Sequence, residues 1–325
     1  MLKNGTPQQL KRGATVLMNT RKLTSSGALF VALLASTPAL AGESGSGLYV
    51  PGTSAFGAGV TPPPGLYVTQ AFMHYDGYAA ASVDGGTIDL NARKTASPFI
   101  ANLTWVPEQE ILNARLGLTV SVPYASYTRL RAGSNALGQN VETSGWGMGD
   151  ISLKGQLGWS NENGFSHTLS TTLWLPTGRY DTGFAPNAGK NHLGVNVSWG
   201  FTKIWKDPGI ELSASFGVTG EFKNSASDYR NGVGLNLDAA IGKVFDNGLT
   251  LGVAGFAYKQ VSDDTGSGAS LGAFKGQDFG IGPALSYSTA INGRPYSFAL
   301  RHYWEFGVEN RFDGHLTMAS ITARF

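Results

Sequence analysis

Five histidines, His74, His167, His192, His302 and His315, and no cysteine are the raw material for chemistry in this chain of 325 residues. The lack of Cys excludes disulfide frameworks, thiolate metal sites and thiol nucleophiles. No histidine stands at the spacing of an HExxH zinc site. His167 and Ser170 lie three apart in an alternating stretch, so a period of two puts them on opposite faces. That arrangement opposes a simple nucleophile–base pair. Gly145–Asp150, "GWGMGD", is rich in glycine but starts a strand instead of opening a helix, which removes the basis of a phosphate cradle. The sequence therefore predicts no catalytic residue, no metal and no cofactor. A serine–histidine lipid hydrolase with its residues drawn from separate strands is the enzyme alternative.

What remains is a set of charges at regular positions: Arg115, Asp150, Lys154, Glu211, Glu221, Asp238, Arg301 and Glu305. Each belongs to the polar side of an alternating run. In Ile210–Phe222, one face carries Ile210, Leu212, Ala214, Phe216, Val218 and Phe222, and the other Glu211, Ser213, Ser215, Thr219 and Glu221. Leu112–Val122, Ile151–Trp159 and Tyr296–Val308 repeat the pattern. Period two is the signature of a strand with two unlike faces.

Such runs recur near 65–76, 95–106, 112–124, 146–160, 165–177, 191–205, 209–222, 229–245, 248–262, 275–289, 295–308 and 314–325, and no convincing helical period interrupts them. The first is the weakest, because "LYVTQAFMHY" does not alternate cleanly. Tight connections such as "NENG", "KDPG", "DNG" and "INGR" carry the residues turns need. They alternate with longer polar connections, including 125–145 and 178–190. An even strand count with short turns at one end and long loops at the other predicts an all-β, antiparallel up-and-down transmembrane barrel of about twelve strands, with periplasmic turns and extracellular loops. Trp105, Tyr124, Trp146, Trp159, Trp199, Trp205 and Trp304 cluster near strand ends, as interfacial girdles require. A secreted sandwich would instead carry a more highly charged outer face. In a barrel the eight charges point into the lumen, where they select solutes or pair and fill it. Twelve strands fall between filled and open barrels, so both roles stay open.

Composition agrees. Only 14% of residues are charged, against roughly 25% in soluble domains, with 45 glycines and 11% aromatics. Residues 1–41 read as a secretory leader: Arg21 and Lys22, an apolar run over Gly27–Ala35, and Ala39-Leu40-Ala41 as the cleavage site at Ala41. That run is about half the ~20 residues of a spanning helix, and Met18 is an alternative start. Residues 1–41 hold five of the 24 Lys and Arg and none of the 22 Asp and Glu, so the chain beyond them carries −3. Nucleic acid is not an expected partner. Residues 42–64 are rich in Gly, Ser and Pro and form either a periplasmic linker or a plug inside the barrel. Leu48, Tyr49 and Phe56 favour the plug, since a lumen would shelter them. The barrel itself is expected over 65–325.

At Tyr49–Gly52, Pro62–Val68, Gly145–Trp159, Leu173–Asp181 and Tyr258–Asp264 the chain resembles the outer-membrane transporter family of the meta-pathway of phenol degradation. The resemblance implies a barrel in the cell outer membrane that passes small hydrophobic or aromatic compounds. Its partners would be membrane lipid and lipopolysaccharide, the outer-membrane assembly machinery and the solute. A structural or adhesive barrel with a closed lumen is the other expectation.

The last residues, "LTMASITARF", fit a closing strand, and the terminal Phe325 resembles the signal that assembly machinery reads in outer-membrane barrels. Deleting Phe325 is expected to lower the yield of heat-modifiable barrel far more than it lowers export. Normal barrel yield from the truncated chain would refute this role.

Overall fold

The computed structural model describes residues 46–79, 90–134, 139–182, 186–269 and 275–325. The sequence-predicted leader, with Ala41, lies outside them. Fourteen β-segments occur: β1 (Gly65–Ala79), β2 (Leu90–Val106), β3 (Glu110–Ile111), β4 (Ala114–Ser134), β5 (Gln139–Gly147), β6 (Ser152–Ser160), β7 (Phe165–Trp174), β8 (Gly194–Trp205), β9 (Ile210–Glu221), β10 (Gly234–Val244), β11 (Leu249–Gln260), β12 (Gln277–Ile291), β13 (Arg294–Glu309) and β14 (Asp313–Arg324). β3 only tightens the turn into β4. β5 and β6 both pair with β4, the first along its far half and the second along its near half, so together they make one stave. The result is a closed antiparallel barrel of twelve staves, each paired with its sequence neighbours, and β1 joins β14 to complete the ring. Closure pairs both edges of the ring, which is what a lipid environment demands of a sheet, while β5 pairs on one side alone among the described residues.

Turn chemistry sets the register at one end. Asn292 and Gly293 both take positive φ, 51° and 77°, the two-residue turn whose twist matches flanking strands. At the same end the seam extends past β14, where Phe325 N donates to Leu66 O at 2.7 Å. The Arg294 guanidinium lies 4.3 Å from the Phe325 ring centroid.

Alternation decides which residues face lipid. Along β10, Leu237 is 42% exposed while its neighbour Asp238 is 1% exposed. Phe216, Val218, Ile241, Val253 and Ile281 share the outward band. The strand expected to end near residue 124 instead runs on to Ser134 and pairs with β5. On its outer face the ring pair Tyr127 and Trp146, 5.3 Å apart, gives way to Arg129 and Arg131, both ion-paired to Glu142. An outer face that turns charged has passed beyond the apolar band, and with Leu130 and Ala132 on the inner face the alternation is inverted and gives no lipid-facing signal in sequence.

The buried apolar cluster lies inside the barrel. Ala240, Ala254, Phe256, Ala284 and Tyr303 project inward and pack around Ala55 and Phe56 of the segment that precedes β1. Lys in place of Leu237 is expected to cost about 2–4 kcal/mol of stability in a bilayer, and Lys in place of the cavity-facing Ser320 less than about 1 kcal/mol. Denaturant unfolding in lipid vesicles, followed by tryptophan fluorescence, measures both. Equal losses would contradict the assignment of faces.

Candidate functional site

Residues 46–64 form no helix or strand, so apart from Val60 N, which donates to Gly57 O, their buried amides need partners in the barrel wall. Three inward carboxylates accept from four of them. Glu221 Oε1 accepts from Leu48 N at 2.8 Å. Asp238 accepts from Gly52 N at 3.0 Å, Ser54 N at 2.9 Å and the Tyr49 hydroxyl at 2.8 Å. Glu211 Oε1 accepts from Gly57 N at 2.7 Å. Hydrogen bonds to charged groups contribute roughly 1.5–3 kcal/mol each. Burial, and then the adjacent Asp238 charge, hold the Tyr49 phenol well above its usual pKa, so it stays a donor.

Residues 46–64 form a strap along the barrel wall, and the strap also takes donors from that wall. Tyr303 OH donates to Gly52 O at 3.0 Å, and Gln156 Nε2 to Thr61 Oγ1 at 2.9 Å. Gly59 N donates to Thr202 Oγ1 at 3.0 Å. Here two backbones meet almost directly, since a Cβ on Gly200 would lie 2.5 Å from Ala58 O. Gly52, with φ +78°, has no room for a side chain between Tyr303 and Phe256. The strap thus runs along β8–β11 from the long-loop end to the end that bears the tight turns, where Arg324 Nη2 donates to Pro64 O at 2.7 Å.

Burial shows what the strap leaves open. Inward residues of β9 and β10 are uniformly buried, whereas those of β1 and β6 are mostly only half-buried. A cavity of about 690 Å³ separates the strap from that opposite wall. Its lining combines Met73, Ile100, Leu316 and Met318 with Thr69, Thr104, Thr119 and the charged groups Lys154, Arg301 and Glu305. At the long-loop end Lys94 and Lys190 both donate to Ser46 Oγ at 2.9 Å.

The charges expected from sequence divide by task. Glu211, Glu221 and Asp238 hold the strap. Glu221 Oε2 also meets His192 Nε2 at 2.7 Å, tying the 175–193 connection to the same post. Asp150 sits in the gap between β5 and β6 and accepts from Gly178 N at 2.8 Å and Lys190 N at 2.6 Å, so it fastens that connection too. Glu305 accepts from the Tyr75 hydroxyl and from Gly314 N, each at 2.9 Å. Arg115 stands opposite Glu110 at the tight-turn end, outside the cavity lining. Lys154 and Arg301 face the cavity. Sequence reasoning passed over Asp278 and Arg311, which pair at 3.6 Å. Asp278 offered a signal, as the polar neighbour of Phe279 in an alternating run, while Arg311 lies in a connection with no period to read. His167 stacks on Trp159, and Ser170 instead bonds Ser198 at 2.8 Å.

Comparison with known proteins adds the following. The family model described as "Putative MetA-pathway of phenol degradation" matches residues 79–321. The solved COG4313 outer membrane channel from Pseudomonas putida F1 superposes with a TM-score of 0.68 at 16% identity, over 85% of this chain and 100% of that one. Weaker likenesses include the transport unit of the autotransporter AIDA-I from Escherichia coli, with a TM-score of 0.46 at 9% identity over 80% of this chain and 90% of that one. The TodX monoaromatic hydrocarbon channel mutant gives 0.42 at 11% identity, over 81% and 91%. No curated protein matches the chain.

Asp238→Ala strips the acceptor from three strap donors, and each buried donor left unpaired costs about 1–3 kcal/mol. Because the chain has no cysteine, a thiol introduced as Ser54→Cys reports strap exposure alone. Labelling of that thiol is expected to run at least about tenfold faster with Asp238→Ala than without it, with the barrel still heat-modifiable. Equal rates would mean that the strap is held elsewhere.

Proposed function

Because the chain belongs to the family described as putative MetA-pathway of phenol degradation, we propose that it is an outer-membrane channel for diffusive entry of small hydrophobic or aromatic compounds. The supporting observation is the cavity of about 690 Å³ between strap and wall, which matches the size of small-molecule sites. The twelve-stave barrel with its outward apolar band is a membrane-spanning fold, and the COG4313 protein of similar fold is an outer membrane channel. In this reading the tight turns and both ends of the barrel chain face the periplasm. The long loops face outward, and the strap narrows the lumen without filling it.

A second reading keeps the barrel closed and gives it a structural or adhesive role. The strap favours it, since it occupies the whole β8–β11 side. Reconstitution decides between the two. The full chain in planar bilayers is expected to conduct and, in liposomes, to pass phenol-sized solutes. Deleting residues 46–61 is expected to raise conductance several-fold. No conductance from either form would leave the closed barrel standing and sink the channel.

A further inference from the structure

The lumen does not pair all its charges, and the shortfall is local. Each inward acid already named is committed: three to the strap, Asp150 to two loop amides, Asp278 to Arg311 and Glu305 to Tyr75 and Gly314. Lys154 and Arg301 have no carboxylate within ion-pair distance among the described residues. Lys154 makes no hydrogen bond there, and Arg301 Nε is buried without an acceptor. Two cationic side chains thus project into one cavity with donors to spare, from β6 and from β13, five staves apart on a ring of twelve.

Beside Arg301 the wall turns apolar in a defined row. Arg301 pairs in register with Met318, and Met318 with Met73. All three project inward, and directly opposed residues on neighbouring strands keep their Cβ atoms about 4.5–5.5 Å apart. Ile100 packs against the same cluster. A guanidinium next to two thioethers matches a ligand with an anionic head and a flat apolar body. The guanidinium fork accepts a carboxylate with two parallel hydrogen bonds, and thioethers pack favourably against aromatic rings. A neutral hydrocarbon would cover both cations without pairing them, a penalised arrangement.

We propose that the lumen cavity is a binding site for small aromatic carboxylates, with Arg301 taking the carboxylate, Met73 and Met318 the ring, and Lys154 forming a second positive post across the passage. This rests on the channel reading for its role in transport, though not for binding. Benzoate is the probe and benzyl alcohol its uncharged counterpart. Benzoate is expected to raise the thermal unfolding midpoint of the detergent-solubilised protein and to block chloride current in bilayers, at concentrations at least about tenfold below those of benzyl alcohol. Arg301→Gln and Lys154→Met are each expected to weaken the benzoate effects about tenfold, and Arg301→Lys to restore part of them. A folded protein on which benzoate acts no better than benzyl alcohol overturns the site. So does an Arg301→Gln barrel that folds and keeps full benzoate sensitivity. Benzoate binding without any chloride current keeps the site and removes the channel.

Discussion

Backbone amides without a sheet to join are the governing constraint inside this barrel. A segment with no secondary structure can cross a lumen only if each buried N–H finds an acceptor, and Glu211, Glu221 and Asp238 meet that demand for four amides of the strap. Other features follow from where those three carboxylates stand. They draw the strap onto β8–β11, which buries that arc and leaves the opposite arc facing open space. They also consume negative charge that would otherwise neutralise the lumen, so the cations of β6 and β13 stay unpaired. Glycine completes the fit, because Gly52 and Gly200 let strap and wall approach more closely than any side chain permits.

Two kinds of acid therefore look alike in sequence and differ in the fold. Asp150 and Asp238 both sit on polar faces of alternating runs. Asp238 lies within a continuous strand and points to the strap. Asp150 falls where the stave breaks between β5 and β6, and the break turns it toward Gly178 and Lys190. The same connection reaches Glu221 through His192, so strap and long loop share a post. A substitution at Glu221 consequently disturbs two segments that are far apart in the chain.

The staves were legible wherever lipid and lumen impose opposite chemistry on adjacent residues, as along β9 and β10. β1 was obscure because its inward side includes Met73 and Tyr75, apolar residues that face the strap and cavity and blur the alternation. The β4–β5 hairpin was hidden because, past the aromatic pair Tyr127 and Trp146, its outer face turns charged while Leu130 and Ala132 lie inside, which inverts the alternation. The charged residues of the lumen were visible, but the partners of the acids were not. Those partners are mainly backbone amides, and a peptide N–H leaves no mark on residue type. The unpaired state of Lys154 and Arg301 became apparent only after each acid had been given its donors.

The strap leads directly into β1, and β1 also forms the seam with β14, where Thr69 meets Thr322 across 253 positions. Contacts at such separation carry the largest loop-closure cost and form late. The strap's carboxylate anchors on β9 and β10 lie 154 to 189 positions away. Those staves are neighbours in the chain and pair directly, so they need no ring in order to exist. The incoming N-terminal segment can therefore lie down on a curved, still open sheet, and the final zipping of β1 to β14 then shuts it in. Filling the lumen and closing the barrel are in this sense linked, because the strap leads directly into the strand that forms the last seam.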